Sequence, residues 1–173
     1  MNEKPSTASL ALKWGGITGI ALIIYTTLLY TLNQMGNSGL AVLIYAIVAG
    51  GLFMGIREYR TLNGNYLAIG EGVGLGTLLA AVAGILSSAY NILYTTLIDP
   101  SVKEQVANQV RAKMEEQGNL TDEQIDQAMD MIQKTQGPGL QFLLGVLGSI
   151  VIGAFLSLII SAILRRKKEN PFG

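Results

Sequence analysis

The sequence predicts an all-α integral membrane protein, a four-helix bundle with an extramembrane αα-hairpin between the third and fourth spans. Its composition is the first observation: 50% of the residues are hydrophobic and 14% are charged, with a mean hydropathy of +0.41. Soluble domains contain about 25% charged residues. The second observation is the distribution of charge, because no charged residue occurs in the 43 residues of 14–56, the 27 of 72–98 or the 30 of 135–164. Together they exclude a soluble globular enzyme.

The uncharged stretches define the spans. A bilayer core about 30 Å thick requires about 20 apolar residues as helix, so the first stretch is long enough for two spans separated by the polar turn at 33–39. We expect a single membrane domain over 1–173, with spans at about 14–32, 40–56, 70–98 and 140–164. The second span is short, and we expect the charged residues 57–60 to end it before a turn at 63–65.

The segment 99–136 is the only sizeable polar stretch between spans, and its pattern is that of a helical hairpin. Asp99-Pro100 is a helix start. Thr121 and Gln124 have the spacing of a capping box, which predicts a second helix after a break at Gly118. Each predicted helix has one apolar stripe at helical spacing. The first consists of Val102, Val106, Val110 and Met114, and the second of Ile125, Met129 and Ile132. These stripes require a partner: each other, the membrane surface or another protein.

The basic residues indicate the orientation of the spans. Eight of them lie on one predicted side: Lys4, Lys13, Arg57, Arg60, Arg165, Arg166, Lys167 and Lys168. The segment 99–136 on the other side carries four basic and eight acidic residues. Because basic loops remain in the cytoplasm, both termini are predicted to be cytoplasmic and the hairpin extracytoplasmic. We expect the arginines and lysines of the loop and tail to fix this topology and to contact anionic lipid headgroups.

Small residues recur at a spacing of four along spans 3 and 4. Helices in lipid associate by close packing, which small residues permit, so these ridges predict helix contacts. Intramolecular packing of span 3 against span 4 is one interpretation and a homodimer interface is the other. The residues are Gly72, Gly76, Ala80, Gly84 and Ser88 in span 3, and Gly145, Ser149, Gly153, Ser157 and Ser161 in span 4.

Glu71 and Asn91 are the candidate functional residues of span 3. A carboxylate in a membrane segment indicates a proton relay or cation site, and an amide could line a polar path. Each also has a structural interpretation. Glu71 would lie in the first turn of a helix, where the dipole favours an anion, and could pair with Arg57 or Arg60. Asn91 could form an interhelical hydrogen bond.

Residues that commonly act in catalysis or bind metal ions are otherwise scarce. The chain has no Cys and no His, and the acidic residues of 99–136 lack the alternation and central Gly of a calcium loop. A solvated helix face explains these acids. We therefore expect no enzymatic activity and no cofactor or metal. The balance of 12 basic and 12 acidic residues gives no reason to expect a nucleic-acid partner.

Several short segments carry a family resemblance. Arg57-Glu58-Tyr59-Arg60, followed by Tyr66 to Gly72, resembles the second-loop signature of the DUF4199 family. Ile98-Asp99-Pro100 opening an acidic hairpin that contains residues 123–129 is similar, as are 160–164 and Asn170-Pro171-Phe172. The resemblance covers nearly the whole chain. It implies a four-span protein of the bacterial inner membrane, from a family without an established activity and therefore without catalytic residues to transfer.

Two functional hypotheses follow. The first is a non-enzymatic membrane protein that acts through protein or lipid contacts, in a scaffold or accessory role, with the hairpin as its docking element and a membrane protein or a second copy as partner. The alternative is a small carrier or channel that uses Glu71 and Asn91 on a polar path.

Overall fold

A computed structural model describes residues 6–35, 37–134 and 137–166 of the 173-residue chain. The regular elements in these residues are helices, apart from one isolated β-bridge, which confirms the predicted all-α class. Four helical segments are long and apolar enough to cross a membrane: Thr7–Thr31, Gly39–Leu62, Ile69–Ile98 and Pro138–Leu164. The membrane bundle predicted from the uncharged stretches is therefore confirmed.

The first two long helices extend beyond the predicted spans. Helix α1 (Thr7–Thr31) begins after Ser6, whose hydroxyl accepts a hydrogen bond from the backbone N–H of Ser9. Helix α2 (Ser38–Leu62) is capped by Asn37 and continues through 57–60. The helix therefore continues past the predicted limit of the second span at residue 56, and Glu58 in this last part is paired with Lys13 of α1. The turn follows at Gly64 and Asn65, both with positive φ.

The third span is the most irregular. Helix α3 (Ile69–Leu93) continues into a π-helical turn at Tyr94–Ile98, closed by a hydrogen bond from the Asp99 N–H to the Tyr94 carbonyl of 2.8 Å. The side-chain hydroxyls of Thr95 and Thr96 donate to carbonyls one turn earlier, and such competition with the backbone accompanies distorted helices. The sequence-based span at 70–98 contains no indication of this π turn.

The insert is the predicted helical hairpin. Helix α4 (Ser101–Gln117) ends at Gly118, whose positive φ of 63° is typical of a helix C-cap. Helix α5 (Asp122–Lys134) begins with the predicted capping box: the Thr121 N–H donates to Gln124 Oε1, and the Gln124 N–H donates to Thr121 Oγ1. Helix α6 (Pro138–Leu164) then returns across the bundle.

The four long helices run up, down, up and down, with α3 at the centre. It packs most extensively on α6 and α1, while α2 lies across α1, α3 and α6 with smaller contacts. The core at one end of the bundle contains Leu52, Ile56, Leu67, Leu75 and Leu79. We call this the terminal end, because Ser6 and Arg166 both lie near it. The opposite end, next to α4 and α5, is the hairpin end.

Candidate functional site

The ten predicted packing residues lie at one interface, between α3 and α6. They face each other in antiparallel order as five pairs: Gly72 with Ser161, Gly76 with Ser157, Ala80 with Gly153, Gly84 with Ser149 and Ser88 with Gly145. Each pair consists of one glycine and one serine or alanine, and a Cβ added to the glycine would overlap its partner's side chain. The two backbones therefore approach closely along the whole interface, within a single chain.

Two further glycine pairs, Gly15 and Gly19 of α1 and Gly51 and Gly55 of α2, pack against neighbouring helices. A Cβ on Gly15 would lie 2.7 Å from Val82 Cβ of α3, and one on Gly19 would lie 3.1 Å from Leu86 Cβ. Gly51 of α2 lies against Thr18 of α1. Glycines therefore set the close approach at each of these contacts, whereas larger side chains fill the terminal-end core.

Asn91 belongs to a cluster of hydrogen-bonded side chains at the hairpin end. Its side-chain amide donates to the Tyr30 hydroxyl of α1. The Tyr90 hydroxyl lies 2.6 Å from Thr27 Oγ1, a second link between α3 and α1. Tyr30 stacks on Tyr94 with 4.8 Å between ring centroids. The structure thus gives Asn91 an interhelical hydrogen bond, and the same residue also lines a crevice described below.

Glu71 lies at the terminal end, in the first turn of α3. One of its oxygens, Oε2, accepts from the Ala68 N–H at 3.2 Å and from the Asn63 amide at 3.5 Å. This is the position at a helix start where an anion is favoured. Arg60, a predicted partner, instead donates from Nη1 to the Leu164 carbonyl at 3.3 Å, and Arg57 is exposed.

Glu71 and Asn91 are not brought together. They are separated by 20 positions on one straight helix, or about 30 Å at 1.5 Å per residue. Asn91 lies near the hairpin end and Glu71 near the terminal end. The two residues therefore occupy separate environments at opposite ends of the bundle.

The arginines predicted to contact lipid headgroups and to fix the topology lie at the terminal end, together with an ion pair between α1 and α2. Lys13 Nζ donates to both carboxylate oxygens of Glu58 at 2.8 Å, and Trp14 Nε1 donates to the same group at 2.6 Å. Leu67 and Arg166 exchange two backbone hydrogen bonds of 3.1 and 3.3 Å. Arg165 and Arg166 are exposed here, as Arg57 is. Lys167 and Lys168 lie outside the described residues.

A crevice separates α2 from α6 in the hairpin half of the bundle. Its body has a volume of about 310 Å³, and it continues into a mouth of about 400 Å³ at the hairpin end. Ala41, Ile44 and Val48 of α2 form one wall, and Leu144, Gly148 and Ile152 of α6 form the other. Residues of α1 and α3, including Leu22 and Ser87, form the floor of both parts.

Comparison with known families decides the classification. The family described as "Protein of unknown function (DUF4199)" matches residues 13–166 of the chain. The chain belongs to the DUF4199 family. Neither a curated protein nor a solved structure is detectably similar to it. Because the family description states no activity, it assigns no role to any residue of the site.

Two acidic residues of this DUF4199 protein's hairpin form ion pairs with an arginine. Arg111 donates to Glu115 at 3.1 Å and to Asp126 at 2.7 Å, which joins α4 to α5. These hydrogen bonds, first that of Glu115, raise the pKa of Arg111 above its usual value. Over the described residues, no group of three or more His, Cys, Asp and Glu is placed to hold a metal ion.

Two features of the DUF4199 chain were not found in its sequence. The crevice lies between residues of α2 and α6 that are about 100 positions apart in the sequence, and residue spacing does not predict that they border one cavity. The link between Glu58 and α1 was also missed. Its signal was the charge pattern, since Glu58 is the one acid between the basic residues Arg57 and Arg60 near the C-terminal end of α2.

Proposed function

We propose that this protein is a non-enzymatic component of the bacterial inner membrane that acts through protein or lipid contacts, as a scaffold or accessory subunit. Its termini would be cytoplasmic and its hairpin extracytoplasmic. The observation that carries the proposal is the attachment of the hairpin to the bundle. Val102 of α4 is buried in one cluster with the stacked side chains of Tyr30 and Tyr94, and Val106 packs against this cluster.

A docking element requires a fixed orientation, and two further contacts support it. Ile125 and Met129 of α5 are buried, with α5 packed on α4, so the second apolar stripe is covered by the hairpin itself. Gln109 of α4 donates to Asn33 at the end of α1. The hairpin still presents exposed apolar side chains, Leu120 and Met131, among its acidic residues. This surface suits a partner with apolar and basic groups.

The arrangement of polar groups favours a contact role over a carrier. Coupled transport requires polar and ionisable groups gathered near the middle of the membrane. The two candidates here lie at opposite ends of α3, and Asn91 is hydrogen-bonded to Tyr30. Many hydroxyls of the spans donate to their own helix, as Thr26 and Thr77 do.

Site-specific photocrosslinking tests the proposed docking element. A photoreactive residue at Met131, which is 69% exposed, should form a discrete protein adduct in intact membranes. The same residue at Val151, exposed on the lipid-facing side of α6, is the matched control and should not. The Met131 adduct should persist in a Glu71→Gln background, because the hairpin contact does not use this carboxylate. Absence of a protein adduct at Met131, or its loss on Glu71→Gln, would count against the scaffold role.

Reporter fusions test the orientation. The terminal end carries Arg57, Arg60, Arg165 and Arg166, and basic groups are retained in the cytoplasm. Fusions after Asn63 and at the C-terminus should therefore report cytoplasm, and a fusion at Gly118 should report the opposite side. An extracytoplasmic C-terminus would contradict the proposed orientation.

A further inference from the structure

We infer that the crevice between α2 and α6 binds one acyl chain of a membrane phospholipid from the leaflet on the hairpin side. This inference rests on the proposed function and specifies the lipid contact within it. The Met131 crosslink tests the other part of that proposal, the contact with a protein partner. The site consists of an apolar body inside the membrane-spanning region and a polar mouth at the hairpin end. These two parts match the tail and the head of an amphiphile.

The body of the crevice has the size and lining that a hydrocarbon chain requires. Ligand sites in proteins measure about 300–1,000 Å³ and are mostly apolar, and the body of about 310 Å³ falls in this range. Its walls include Ile44, Val48, Leu144 and Ile152. An apolar cavity of about 150 Å³ remains free of water and accepts an apolar guest. In a bilayer, the apolar group available to fill such a cavity is a lipid acyl chain.

The crevice is closed toward the terminal end, which excludes a membrane-spanning helix as its occupant. Leu52 and Ile56 of α2 are fully buried and belong to a core cluster against which Leu156 and Ile160 of α6 pack. A helix about 10–12 Å across would require α2 and α6 to be separated along the whole bilayer. A flexible chain that enters from the hairpin side requires only the open half.

The mouth offers hydrogen-bonding groups near the hairpin end of the bundle. Gln141 lies in the first turn of α6, and its Oε1 atom is buried without a hydrogen-bond partner among the described residues. An unpaired buried acceptor costs about 1–3 kcal/mol, which a donor from a bound head group would recover. Asn91, Ser88 and Thr26 line the same mouth. The ammonium group of phosphatidylethanolamine is such a donor.

Crosslinking to a photoreactive phospholipid tests the site in a lipid bilayer. The full chain is reconstituted in vesicles of phosphatidylethanolamine and phosphatidylglycerol that contain a phospholipid with a diazirine at the end of one acyl chain. After irradiation, adducts should concentrate on the crevice residues Ile44, Val48 and Leu144. They should be sparse on Val151 and Phe155, which are also exposed on α6 but lie outside the crevice.

Gly148→Leu is the blocking variant. Gly148 lines the crevice, and a Cβ added there meets no atom within 4 Å, so the leucine fills the space without displacing the backbone. The matched control is Gly50→Leu in α2, which is equally unobstructed but does not line the crevice. We expect Gly148→Leu to remove the crevice adducts and Gly50→Leu to retain them, with both variants as thermally stable in detergent as the parent chain.

Three results would overturn the inference. Adducts distributed evenly around the bundle would show that lipid contacts the surface without a site. Crevice adducts that persist in Gly148→Leu would show that the crevice does not hold the chain. A crosslink between two protein copies from a photoreactive residue introduced at Ile44 would show that a second copy occupies the crevice. None of these outcomes depends on whether Met131 captures a protein partner.

Discussion

Gly76→Leu should destabilise the bundle strongly, by about 1–3 kcal/mol or more. The new Cβ would overlap the Cβ of Ser157 and lie 3.2 Å from Leu52 Cδ2, so α3, α6 and α2 would all have to separate. The loss in lipid is mainly van der Waals contact between the two helices, because Gly76 belongs to the second of their five residue pairs. Thermal unfolding of the purified protein in detergent measures the effect.

Gly74→Leu is the matched control, two positions away on the same helix. A Cβ at Gly74 meets nothing within 4 Å, and the leucine would point into lipid. We expect an unfolding temperature close to that of the parent chain. Equal effects at the two positions would mean that α3 and α6 do not pack through these residues. Disulfide trapping between cysteines introduced at Gly84 and Ser149 distinguishes contact within one chain from contact between two.

Tyr30→Ala should release the hairpin from the bundle. Tyr30 is 7% exposed, stacks on Tyr94, and accepts the amide hydrogen bond of Asn91. Truncation of a large buried aromatic side chain costs about 3–5 kcal/mol, and here the cavity would open beneath Val102 of α4. Backbone amides of α4 and α5 should exchange faster with deuterium, while those of α6 should change little.

The control for this variant is Tyr45→Ala. Tyr45 is 50% exposed on α2, so its truncation leaves no buried cavity and should not affect exchange in the hairpin. If hairpin exchange is unchanged in Tyr30→Ala, the aromatic cluster does not hold α4. If exchange rises equally throughout the protein, the cluster stabilises the whole bundle and not the hairpin in particular.

Features that depend on local periodicity could be predicted from the sequence. The spans follow from uncharged length, and the start of α5 follows from Thr121 and Gln124, whose capping interaction involves neighbouring residues only. The small-residue spacing of four likewise identified surfaces on both helices that face each other in the structure. A spacing of four places residues on one helix face, so the pattern specifies the face directly.

Features that depend on tertiary geometry could not be predicted. The second span was expected to end before Arg57, but a charge indicates the limit of the apolar region and not the limit of the helix, which continues to Leu62. Lys13 is 45 residues from Glu58, and only the folded bundle brings them together. The site at the crevice depends on how α2 and α6 are placed beside each other in the bundle. Asn91 was recognised as a candidate, but its partner Tyr30 lies on another helix and no spacing rule connects the two.

The pairing of α3 with α6 restricts how this bundle can move. In each of the five pairs a glycine faces a residue that carries a Cβ. Sliding one helix past the other by one turn, about 5.4 Å, would place Ala80 opposite Ser149 in one direction and opposite Ser157 in the other. In both directions two side chains that carry a Cβ would collide. A slide of α3 along α6 by one turn therefore reaches no second stable register. The contact between α3 and α6 therefore has one stable register. Conformational change is expected at α2, which forms one wall of the crevice.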